Sequence, residues 1–129
     1  MAELFLEGLE PVSVARPPQD FGYDLLVVFK NSKGGVNTFG VEVIATQRPV
    51  PARFVVDRPT YDRLAHSTIP GLLLVADVKQ NKLFFAWPPR VDTRRSESSS
   101  VSFPLTQIDS KTQAELHKRL VAYDKVSTS

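Results

Sequence analysis

Asp24 and Glu42 are the residues of this chain best placed to do chemistry together. Asp24 opens an apolar run, Leu25–Phe29, and Glu42 stands in the middle of a second one, with the turn residues Asn31–Gly35 between them. Two strands joined by a glycine-containing turn make a hairpin. Such a hairpin sets an acid at the start of one strand near an acid midway along its partner, the simplest route to a metal-binding carboxylate pair. Mg²⁺ prefers oxygen ligands and is held by one or two carboxylates completed by water and substrate phosphate, so the pair would suit phosphodiester hydrolysis. The alternative is plainer: an acid at a strand start more often caps the backbone or is a surface charge.

The surroundings of the pair follow from the period of a strand. Phe39, Val41, Val43 and Ala45 alternate with Gly40, Glu42 and Ile44, so the last three share one face, and Gly40 leaves room beside the carboxylate. Two positions past Glu42, Ile44 can neither take up a proton nor supply charge. Unneutralised, Asp24 and Glu42 would repel each other and raise at least one pKa unless a metal or an arginine intervenes.

The elements that position the pair alternate between helix and strand. Leu4, Phe5 and Leu9 lie at near-helical spacing within Ala2–Leu9, with Gly8 available to end a short helix. Pro11, Pro17 and Pro18 then impose an extended connection. Leu25–Lys30 is apolar at nearly every residue and reads as a central strand covered on both faces. After Pro49 and Pro51 come a short strand, Arg53–Asp57, and a helix capped by Asp57 or Thr60, with Tyr61, Leu64 and Ala65 inward. Gly71–Val78 and Leu83–Trp87 read as a buried strand pair, and Arg90–Ser100 as a flexible serine-rich loop. Val101–Leu105 is strand-like, and Ser110 with Gln113 fits a capping box. The closing helix that follows, to about Lys125, has Ala114, Leu116, Leu120, Val121 and Tyr123 as its apolar side. The fold class is therefore α/β, a mixed β-sheet flanked by helices. It forms a single domain over residues 1–126, with 127–129 as a frayed tail.

Composition sets the bounds. The chain has 129 residues, 42% of them hydrophobic and 23% charged, which fits one packed core and excludes a disordered chain. No apolar run approaches the roughly 20 residues of a membrane-spanning helix. Cysteine is absent, which removes disulfides, thiolate catalysis and zinc–thiolate sites together. Glu3, Glu7 and Glu10 stand where a signal peptide would carry basic residues, so the expected location is cytoplasmic, without a membrane partner. A net charge of +2 is not the footprint of a strong nucleic-acid binder. Even so, Arg48, Arg53, Arg58 and Arg63 recur through the middle and Arg90, Arg94 and Arg95 later. They offer phosphate contacts or simply a solvated surface. His66 and His117 read as surface residues, and Trp87 either stacks on a base or caps the core.

Several short motifs extend the argument. Asp20-x-Gly22-x-Asp24 leads into a strand, Phe39-x-Val41-Glu42-Val43 follows, and Ile69–Asp77 and Leu83–Trp87 read IPGLLLVAD and LFFAW. Together they resemble the PD-(D/E)XK nuclease superfamily, and more narrowly a bacterial branch of unassigned role, over nearly the whole chain from about Ala2 to Leu120. The resemblance implies a restriction-endonuclease-like fold, with Asp24 as first and Glu42 as second metal ligand and Mg²⁺ as the cofactor of an active site. It also implies an acid from the first helix, Glu3 or Glu7, and gives Asp20 a turn or supporting role. The departure is Ile44, where the family carries its catalytic lysine, the group that orients the attacking water and stabilises charge on the phosphate. Lys30 and Arg48 are then the candidates for a relocated base.

The expected function is a degenerate nuclease-fold module without hydrolytic activity. It would bind nucleic acid or act as a regulatory or interaction subunit in a bacterial mobile-element or defence system. Two alternatives stay open. One is an active Mg²⁺-dependent endonuclease with a relocated base, which a lysine or arginine close to the carboxylate pair would favour. The other is a dimerisation domain using Phe84, Trp87 or the first helix, which salt-dependent DNA binding would argue against. The short first helix also suggests that family members begin earlier than this chain.

Overall fold

Alternation along the longest strand sorts its residues onto two faces, and the rest of the fold covers each face. In the computed structural model, residues 2–16, 23–65, 69–87 and 100–122 are described. The order is α1 (Ala2–Gly8), β1 (Ser13–Ala15), β2 (Leu25–Lys30), β3 (Val36–Thr46), β4 (Arg53–Asp57) and α2 (Arg58–Ala65). It continues with β5 (Gly71–Asp77), β6 (Lys82–Ala86), β7 (Ser100–Pro104), β8 (Thr106–Gln107) and α3 (Ser110–Val121). The class is α/β, with a mixed sheet and three helices among the described residues.

Six strands form the main sheet in the order β1-β2-β3-β5-β6-β8, and β4 pairs with β7 in a separate two-stranded ribbon. The hairpin anticipated around Asn31–Gly35 is β2–β3, with Leu25 opposite Val41 and Lys30 opposite Val36. Only β3 and β5 run parallel, with Gly40 beside Gly71 and Glu42 beside Leu73; the other pairs are antiparallel. β5 is buried at every residue, as its unbroken apolar sequence requires of a strand covered on both sides.

The two faces carry separate cores. Leu25, Val27, Phe29, Phe39, Val41, Leu72 and Leu74 pack with Leu6 of α1, with Leu9 just beyond it, and with Leu116 and Leu120 of α3. Leu73 and Val75 pack on the other side with Tyr61, Leu64 and Ala65 of α2 and with Val56 and Phe103 of the ribbon. Tyr61, Leu64 and Ala65 are thus the inward stripe that their spacing predicts.

Several details differ from the sequence reading. The cap of α3 is Asp109, whose Oδ1 accepts the Thr112 N–H at 2.8 Å, and not Ser110. A carboxylate one residue earlier wins because it satisfies an orphan donor with a full charge at the positive end of the helix. Ala114 is exposed, so the buried stripe of α3 rests on Leu116 and Leu120. The extended stretch after α1 adds an edge strand, β1, through Ser13↔Val28 and Ala15↔Leu26. Of the expected loop Arg90–Ser100, residues 90–99 lie outside the described residues and Ser100 already opens β7; the closing helix, expected to about Lys125, ends at Val121 with Ala122 as its C-cap, and the chain beyond residue 122 lies outside the described residues.

A buried polar link ties the hairpin to α3. Asn37, buried, donates through Nδ2 to the Leu120 carbonyl at 2.9 Å and accepts at Oδ1 from Asn31 Nδ2 at 3.0 Å. It satisfies a carbonyl in the last turn of α3 that has no partner within the helix. Asn31 in turn accepts at Oδ1 from the N–H groups of Lys33 and Gly35, and Gly34 supplies the left-handed residue of the turn at φ 85°.

Candidate functional site

The site is built on a pair of glycines. Because β3 and β5 run parallel in register, Gly40 and Gly71 lie side by side, and the missing side chains let two other groups come down onto the sheet. A Cβ on Gly40 would lie 2.5 Å from the Tyr23 ring, and one on Gly71 would lie 2.7 Å from the Leu64 carbonyl oxygen. The room beside Glu42 that Gly40 was expected to leave is therefore filled, by Tyr23. The Tyr23 hydroxyl donates to the Arg63 carbonyl at 3.0 Å, which fastens the end of α2 over the strand pair.

That docking delivers Arg63 to Glu42. Arg63 Nη2 donates to Glu42 Oε1 at 2.8 Å, with the glutamate side chain 14% exposed and the arginine side chain 40% exposed. Thr60 Oγ1 lies 3.4 Å from the same nitrogen. Glu42 Oε2 and Arg63 Nε are buried without a hydrogen-bond partner among the described residues. Burial pushes the Glu42 carboxyl above its ordinary range; the Arg63 hydrogen bond and charge pull it back, while the negative charges of Asp24 and Asp57 add to the rise.

Asp24 is the cross-strand neighbour of Glu42, since it precedes the Leu25↔Val41 pair that Glu42 follows. Its backbone N–H donates to the Val41 carbonyl at 3.1 Å, and its Oδ2 accepts the Val43 N–H at 2.7 Å. The carboxylate thus takes the place of a ladder carbonyl where β2 begins. The two acids do come together, but each has one oxygen already engaged.

No family model and no curated protein matches the chain.

Lys30 pairs with Val36 at the turn end of the hairpin, about 20 Å along β2 from Asp24 at the usual rise per residue. Arg48 lies beyond the end of β3, its N–H held by the Thr46 hydroxyl at 3.1 Å. Neither pairs with the acids; the cation on Glu42 comes from Arg63. Glu7 is exposed on α1, whose Leu6 packs on the sheet face opposite α2, so it is on the wrong side to join Glu42. The Glu3 side chain, Asp20 and His66 lie outside the described residues. His117 packs edge-on against Phe29 with ring centroids 6.2 Å apart. Trp87 lies 5.7 Å from the Phe39 ring, with the Arg119 guanidinium 5.3 Å from its own centroid, which makes it a core cap. Among the described residues, no three acidic, histidine or cysteine side chains converge as metal donors.

The arrangement does not fit Mg²⁺ as it stands. One oxygen of each acid is committed, and a fixed positive charge already sits 2.8 Å from Glu42. The sequence reads Arg63 only as a phosphate contact or a solvated surface, because its partner Glu42 is set by the β3–β5 register. The available signal was its place in the last turn of α2, between the inward Tyr61 and Leu64.

Proposed function

We propose that this chain is a restriction-endonuclease-like module that has lost hydrolysis and works as a nucleic-acid-binding or regulatory subunit in the bacterial cytoplasm. The mobile-element or defence context follows from the resemblance of its motifs. One observation carries the loss of activity: on the face where a catalytic lysine would stand beside the acid, Ile44 packs against the α2 core and Glu42 is paired with Arg63. Arg63 is the cation close to the pair that the active-nuclease alternative calls for, but a guanidinium stays protonated, so it cannot take a proton from an attacking water as a relocated base must. It could steady charge on a phosphate, but its Nη2 is occupied by Glu42. No helix among the described residues is long and apolar enough to cross a membrane.

The test is plasmid cleavage in Mg²⁺ and in Mn²⁺ by the wild type and by Asp24→Asn, alongside DNA and RNA binding over a salt titration. The expected result is no cleavage, with nucleic-acid binding that weakens as salt rises. Cleavage by the wild type that disappears in the variant would overturn the proposal and establish a working nuclease. Absence of both cleavage and salt-dependent binding would overturn the nucleic-acid role and leave a protein-interaction domain.

A further inference from the structure

The sheet face away from α2 carries a cavity of about 380 Å³ between the end of α1 and the first half of α3. Leu9 and Glu10 line it from one side, and Ser110, Gln113, Ala114 and His117 from the other. The volume lies toward the lower end for small-molecule sites, which combine an apolar lining with a few polar groups. Leu9, which is buried, and Ala114 supply the apolar wall. Ser110 and Gln113 are free to line the cavity because Asp109 has taken over the capping of α3. Among the described residues, the side chains of Glu10, Ser110 and Gln113 and the ring nitrogens of His117 make no hydrogen bond or ion pair. Four polar side chains with unused capacity thus face one space.

Glu10 gives that space its sign. No lysine or arginine lines the cavity, and Glu10 is its one acid. Its backbone is left-handed, at φ 59°, and its N–H bonds the Glu7 carbonyl at 3.0 Å. Just past a helix end this conformation ordinarily belongs to glycine, so the fold alone does not call for a glutamate there.

We propose that the cavity is a binding site for a small organic amine, an ammonium on a short apolar stem that ends in a neutral hydrogen-bonding group. The Glu10 carboxylate accepts from the ammonium, the charge-assisted contact that is the strongest on offer. The stem covers Leu9 and Ala114, and the far end exchanges hydrogen bonds with Ser110, Gln113 and His117. This site does not rest on the nuclease-like reading, because α1 and α3 pack on the face opposite α2 and its Arg63.

Tyramine is the probe, titrated into the isotope-labelled full chain and followed by two-dimensional NMR. Two analogues share its ring and hydroxyl: para-ethylphenol lacks the ammonium, and para-hydroxyphenylpropionate replaces it with a carboxylate. Expected are saturating shifts at Gly8, Glu10 and Gln113, with tyramine bound at least about tenfold more tightly than either analogue. Glu10→Gln, which keeps the shape and removes the charge, should weaken tyramine binding at least about tenfold. Glu10→Gly suits the left-handed backbone, so it provides a folded variant with the same loss where the glutamine variant is unstable. Several results would each overturn the proposal: no tyramine binding by the wild type, shifts confined to residues away from the cavity, an analogue binding as tightly as tyramine, or a folded Glu10 variant binding like the wild type.

Discussion

Replacing Gly71 by alanine tests whether the glycine pair seats α2. Gly71 does not have a positive φ, so its backbone suits alanine. With no steric obstacle, the substitution would stabilise the protein by about 0.4–1 kcal/mol, through the smaller entropy of the unfolded chain. The structure opposes this: the new methyl would lie 2.7 Å from the Leu64 carbonyl oxygen and 2.8 Å from its Cα. Both are backbone atoms of a packed helix, so relief requires α2 to move, and overpacking of this sort costs about 1–3 kcal/mol. The balance is a net loss centred on about 1.3 kcal/mol and no larger than about 2.6 kcal/mol. With an unfolding entropy of about 2.1 cal/mol/K per residue, a chain of 129 residues loses about 4 °C per kcal/mol, so the midpoint should fall by about 5 °C and by no more than about 10 °C. Thermal and urea unfolding read this directly, with an unchanged urea slope showing that the folded and unfolded states keep their compactness. Gly8→Ala is the control, because its methyl would meet nothing closer than Gln113 Nε2 at 3.8 Å, and it should be neutral or stabilising. A Gly71→Ala protein as stable as the wild type would refute the seating of α2 against this strand.

Two further outcomes are expected. Asp109 caps α3, and its hydrogen bonds from Thr112 hold its carboxyl below the ordinary 3.8. A depressed folded-state pKa means stabilisation that is complete above 3.8 and is lost as pH falls through the lower folded value. Asp109→Asn, which still caps but does not titrate, should therefore flatten the acid limb of a midpoint-against-pH curve. Asn37→Ala deletes the donor to the Leu120 carbonyl and the acceptor for Asn31. Leaving buried groups unmatched should cost about 1–3 kcal/mol, measured by urea unfolding.

What sequence could show here was whatever depends on near neighbours in the chain. The β2–β3 hairpin, the inward stripe of α2 and the β5–β6 pair follow from periodicity and turn residues, and the structure has all three. The closeness of Asp24 and Glu42 was legible for the same reason, since a hairpin fixes which residues face each other. Arg63 was not, because its contact with Glu42 depends on β3 lying parallel to β5, and no local signal sets that register. The roles of the two acids were half legible. Asp24 completes a backbone ladder, which was one of the plain readings of an acid at a strand start. The filling of the Gly40 space by Tyr23 depends on a residue outside the hairpin strands, so the same glycine read as an opening when the chain was taken in order. Asp109 prevailed over Ser110 on a one-residue difference, about the margin within which helix ends vary.

The single parallel seam between β3 and β5 also orders the history of the molecule. On one side β2 and β3 close over the short turn from Asn31 to Gly35, and on the other β5 and β6 close over the turn from Val78 to Asn81. Joining Gly40 to Gly71 closes everything between them, a far longer loop with a larger entropic cost. The two hairpins are therefore the pieces that can form on their own, and the seam is the step that unites them. Tyr23 and Glu42 lie on the β2–β3 side of that seam, whereas Arg63 is carried by α2, whose Leu64 is seated against Gly71 of β5. The complete constellation is therefore expected to assemble together with the seam.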